Sequence, residues 1–85
     1  MHTQFFSHVD AQYKELQELA RKENKEQLLA QAVMWSVNDT KQMPEFADLS
    51  EEDRFVNARR ALTLQTIANA QAGLHPFDLW QALVG

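Results

Sequence analysis

Residues 50–77, SEEDRFVNARRALTLQTIANAQAGLHPF, carry a helix start, a long uncharged helix body and a helix stop in one run. The Ser50 hydroxyl can accept from an unpaired amide of the first turn, as an N-cap does. Glu51, Glu52 and Asp53 place three carboxylates where the helix dipole favours negative charge. Gly73 fits the residue just past a helix end, which adopts a left-handed conformation. The pattern predicts a helix over about 51–72. From Ala61 to Phe77, 17 residues, there is no Asp, Glu, Lys or Arg. Leu62, Leu64, Ile67 and Ala68 point in well-separated directions at about 100° per residue. A helix apolar all round is buried on several sides, so this one is expected at the centre of the fold. Charge depletion also marks interface cores. Part of the same surface, Leu64, Ile67, Ala68 and Gln71, is therefore expected to meet a second copy.

Beyond Gly73, Leu74-His75-Pro76 turns the chain, and Pro76 suits the first position of a last helix over about 76–84. Phe77, Trp80 and Leu83 share one of its faces, and helix-in-groove ligands present anchors at this kind of spacing. They are candidate partner-binding residues. The competing reading docks Phe77 and Trp80 on the chain's own core, against Trp35; Trp80→Ala distinguishes the two.

Upstream of Ser50, Phe6, Val9, Tyr13, Leu16 and Ala20 recur at helical spacing and predict an amphipathic helix over about 4–22. The stripe then loses phase at Glu23 and Gln27. A second helix is expected over about 25–37, carrying Leu28, Leu29, Ala32, Val33, Trp35 and Val37. A continuous helix over 4–37 is the alternative. Asn38-Asp39-Thr40 favours a turn, and Pro44 lies in the one candidate loop, 41–49.

The chain has 85 residues, two Gly, two Pro and no Cys, with 45% hydrophobic and 24% charged residues and a net charge of −4. Residues 1–85 are expected to form one domain, an all-α compact bundle of three or four helices with the third central. The composition argues against disorder, and the missing cysteines exclude a disulfide framework or thiolate site. No apolar run approaches the ~18 residues of a membrane span, and Met1 to Phe6 lacks the basic region of a secretory signal. A cytoplasmic chain of bacterial or phage type is expected. So small a core is marginal without a staple, which favours self-association.

Candidate chemistry is sparse. His8 with Asp10, and His75 with Asp78, make no complete metal-ligand set. Ser7, Ser36 and Ser50 lie in no nucleophile motif, and two glycines make a phosphate-cradling loop implausible. No cofactor, metal or catalytic residue is expected. Arg54, Arg59 and Arg60 form a candidate basic face. The overall negative charge and a last helix without Lys or Arg argue against nucleic acid. Glu45, Asp48, Glu51, Glu52 and Asp53 form an acidic run best explained as a solvated loop and helix start.

These features predict a small non-enzymatic protein–protein interaction module. It would act as a regulator, adaptor or inhibitor, would bind another macromolecule as a homodimer, and would touch its partner through Phe77, Trp80, Leu83, Arg59 and Arg60. The alternatives are a dimeric DNA-binding transcriptional regulator using the Arg54–Arg60 face, and a structural subunit of a larger assembly.

Overall fold

The computed structural model describes the backbone of residues 2–85 and the side chains of residues 6–85. Four helices follow in order: α1 His2–Lys22, α2 Glu26–Lys41, α3 Glu51–Gln71 and α4 Pro76–Val84, with one 3₁₀ turn at Pro44–Phe46 between α2 and α3. The fold is a small all-α bundle, as the helix-forming composition predicts, with a Cα radius of gyration of 12.8 Å.

The ends of the helices follow from named residues. Asn24 sits at φ 59°. Its amide donates to the Arg21 carbonyl at 3.3 Å and the Lys25 amide to the Ala20 carbonyl at 2.6 Å. This is a Schellman closure, with asparagine at the left-handed position where its short polar side chain is tolerated. It separates α1 from α2 and excludes a continuous helix over 4–37.

At the end of α3 the same motif uses Gly73, at φ 88°. The Gly73 amide donates to Ala70 at 3.0 Å and the Leu74 amide to Asn69 at 2.9 Å. The Ser50 hydroxyl accepts from the Asp53 amide at 3.1 Å, as the capping pattern predicts. His75 caps α4, its Nδ1 accepting from the Phe77 amide at 3.1 Å.

The predicted end of α2 at residue 37 is corrected. The helix runs on through Asn38, Asp39 and Thr40 to Lys41. Thr40 is buried, and its hydroxyl donates to the Val37 carbonyl at 2.8 Å. Packing on α3 overrides a local turn preference of a few tenths of a kcal/mol per residue.

Helix α3 packs on all three other helices, and so does α2. The core joins Ala20 of α1, Leu29, Ala32, Val33 and Val37 of α2, Ala58 and Leu62 of α3, and Trp80 of α4. Ala20, Ala32 and Ala58 are fully buried and let the backbones approach closely. On α2 the buried stripe is 29, 32, 33, 36, 37 and 40, an unbroken series at spacings of 3 and 1 that leaves the opposite side of the helix free. The Trp80 ring is wholly buried, while Trp35 is 41% exposed. Trp80 is therefore a core residue and does not dock against Trp35. Its burial removes it from the accessible anchors of a groove-binding face.

Candidate interaction surface

The three arginines expected on one basic face are split between two environments. Arg60 lies at the α1–α3 seam. Its Nε and Nη2 donate to the two carboxylate oxygens of Asp10, each at 3.0 Å. Its guanidinium lies 4.4 Å from the centroid of the Phe6 ring. Arg59 stands 5.9 Å from the Tyr13 ring centroid. Both cations are spent on holding α3 against α1.

The Arg60 hydrogen bonds hold the Asp10 carboxyl below its ordinary value of 3.8, and Asp10 in turn raises Arg60. Burial raises the Tyr13 hydroxyl above 10.0, against the pull of Arg59. Asp10 is half exposed, so solvent screening keeps the pair modest. Asp10→Asn is expected to cost about 0.5–1 kcal/mol at neutral pH. Asp10 titrates lower when folded than when unfolded. Its contribution is therefore present above 3.8 and lost as pH falls through the lowered folded value. Urea denaturation of both proteins across pH should show the gap closing only below 3.8, and narrowing with salt.

Arg54 is different again. It is 6% exposed. Its Nη2 donates to the Leu49 carbonyl at 3.4 Å, and Nε and Nη1 find no protein acceptor. The expected Arg54–Arg60 basic face is thus corrected. Arg54 lies in the interior, on the buried stripe it shares with Ala58 and Leu62, because the helical spacing of 4 carries all three inward.

The surface that remains is apolar. Met34 and Trp35 on α2, and Leu64 on α3, are 44%, 41% and 41% exposed. Trp35 stands as a ridge between two grooves. One groove, of about 440 Å³, runs between α2 and α4. Its α2 wall is Gln27, Ala30, Gln31, Met34, Trp35 and Asn38, and its α4 wall is Leu83 and Val84. No residue lining it is charged.

The other groove, of about 290 Å³, runs between α2 and α3 and is also lined by Phe6, Met43 and Phe46. Its α3 side is Asn57, Arg60, Ala61, Leu64 and Gln65. Its charged members are Asp39 and Arg60, and Arg60 is already paired to Asp10.

The residues expected to bind a partner are thus divided among the core, the α1–α3 seam and α4, whereas those expected to meet a second copy share one side of α3. Leu64, Ala68 and Gln71 are exposed on the outward side of α3, with Ile67 half-buried. Phe77 and Leu83 are half-buried and pack against the core cluster, the Phe77 ring 5.6 Å from that of Trp80.

Sequence reasoning missed Trp35, Met34, Ala30 and Phe46 as surface residues. Periodicity alone did not supply them, because it does not say which side of α2 turns inward. Trp35 lies off the 29, 32, 33, 36, 37, 40 series that defines the buried side of α2. Among the described residues no three His, Asp or Glu side chains gather as a metal site, and no helix is long and apolar enough to cross a membrane. The chain matches no protein-family model, no curated protein and no solved structure.

Proposed function

We propose that this chain is a non-enzymatic protein–protein interaction module, acting as a regulator, adaptor or inhibitor, with its binding face on the outer sides of α2 and α3. One observation carries the reading. Trp35 and Leu64, each 41% exposed, stand on opposite walls of a single apolar groove. Exposed aromatic and aliphatic anchors set in a groove whose accessible surface is mostly apolar are the composition of an interface core. The groove volume suits one or two large apolar side chains from the amphipathic helix of another protein, the arrangement of helix-in-groove recognition.

The test uses Leu64→Glu. Leu64 is exposed, so a carboxylate there leaves the core untouched. The tagged wild type should retain a protein partner from native lysate after nuclease treatment. Leu64→Glu should lose that partner by at least tenfold, with an unchanged circular dichroism spectrum and melting temperature. Retention of the same partner at wild-type levels by the variant overturns the assignment of this face.

A further inference from the structure

We propose that the α2 side of this surface is covered by a second copy of the chain, packed antiparallel on α2. The inference rests on the interaction reading above and names the occupant of one part of that face. Gln27, Ala30, Gln31, Met34, Trp35 and Asn38 are all exposed and all uncharged. They recur at i, i+3, i+4, i+7, i+8 and i+11, one straight stripe of a helix about 16 Å long at 1.5 Å per residue.

The stripe is complementary to itself when reversed. An antiparallel pairing centred between Gln31 and Met34 sets Ala30 opposite Trp35 of the second copy, Gln31 opposite its Met34, and Gln27 opposite its Asn38. The largest side chain of each copy enters the place of the smallest on the other, and the two terminal amides face each other. This is the self-complementarity an isologous two-fold interface requires.

Charge selects the direction. Glu26 and Lys41 lie at opposite ends of α2 and on the same edge of the stripe, and both are exposed. Neither has an ion-pair partner among the described residues. Antiparallel packing brings Glu26 of each copy beside Lys41 of the other, whereas parallel packing puts the two copies of each on opposite edges of the contact and forms neither pair.

The antiparallel arrangement also keeps apart the acidic ends, where Asp39, Glu45 and Asp48 lie. In a chain of net charge −4, that lowers the repulsion between two copies. A standard stable interface buries about 800 Å² per partner, roughly one-seventh of this chain's 5894 Å² surface. The stripe with the adjoining Leu83 and Val84 of α4 supplies its apolar centre. Trp35 is shared between the two contacts: its side toward α4 meets Ala30 of the second copy, and its side toward α3 still walls the Leu64 groove, which stays open to another protein.

Sedimentation equilibrium from micromolar to millimolar concentration, on folded protein, tests this. The wild type should dimerise with a micromolar dissociation constant. Ala30→Glu places two carboxylates against two indoles and should weaken the dimer at least a hundredfold. Glu26→Lys should weaken it roughly tenfold, and adding Lys41→Glu to the same chain should restore it.

A wild type that stays monomeric overturns the proposal. So does a dimer indifferent to Ala30→Glu, or a charge reversal that the second substitution fails to rescue. A dimer broken by Leu64→Glu instead would move self-association to α3 and overturn the α2 pairing while leaving the interaction reading intact. Loss of partner binding by Leu64→Glu in a chain that still dimerises would leave both standing.

Discussion

Trp80→Ala is expected to lower folding stability by about 3–5 kcal/mol. The whole domain, at ~0.05–0.15 kcal/mol per residue, has about 4–13 kcal/mol to lose, so the substitution should remove at least about a quarter of its stability. The ring is fully buried at the junction of α2, α3 and α4. It meets Phe77 at 5.6 Å between centroids. Its Nε1 donates to the Thr66 hydroxyl at 3.2 Å, and that hydroxyl donates to the Leu62 carbonyl at 2.7 Å. The polar end of the indole is therefore satisfied without water, on a helix that carries no charge near it.

Thr66→Val removes the acceptor and strands the buried N–H, at a cost of about 1–3 kcal/mol. The two losses should not add, because Trp80→Ala already removes the donor. Urea unfolding followed by circular dichroism gives both numbers, and Trp35 remains as a fluorescent reporter. A loss below about 1 kcal/mol for Trp80→Ala, far under the range for emptying a buried aromatic site, would mean that the indole is not held as described.

Arg54→Met should move stability the other way, by about 1–3 kcal/mol. A guanidinium buried to 6% exposure, with one 3.4 Å hydrogen bond and two nitrogens without a protein acceptor, has been taken out of water for little return. Methionine has a comparable unbranched length and can follow the same path beside Ala58 without the charge. For a domain of this size the gain corresponds to about 4–24 °C in melting temperature. Arg54→Ala is the control. It removes the charge but leaves a void, and the two effects should largely cancel. A fall in melting temperature for Arg54→Met would show that the cation contributes more than its visible partners account for.

Much of the architecture was legible along the chain. Ser50, Gly73 and Pro76 mark helix ends by chemistry that acts over three or four residues: a hydroxyl reaching the first-turn amide, a backbone free to turn left-handed, a ring that presets φ. Such signals do not depend on what lies across the fold, and the structure places α3 and α4 where they indicate. The end of α2 is the counterexample. Asn38, Asp39 and Thr40 favour a turn when considered alone, but the burial of Thr40 carries the helix through them to Lys41.

The surface was less legible. Composition indicated that apolar, uncharged helix surface was in excess of what a small core can hold, and the charge-free run of α3 pointed to Leu64. Which aromatic is inside was another matter. Trp35 and Trp80 look alike in sequence, and each sits among apolar neighbours at helical spacing. Likewise Arg54 and Arg60 are six residues apart on one helix, and one is buried while the other clasps Asp10 of α1.

Helical periodicity assigns residues to a common face but does not say which face meets the interior. The chain by itself determined the all-α class and most helix ends, because these depend on local chemistry. The assembled bundle chose Trp80 for the core, left Trp35 and Leu64 exposed on one groove, and buried Arg54. Those outcomes depend on which helix faces are brought together by contacts distant in sequence.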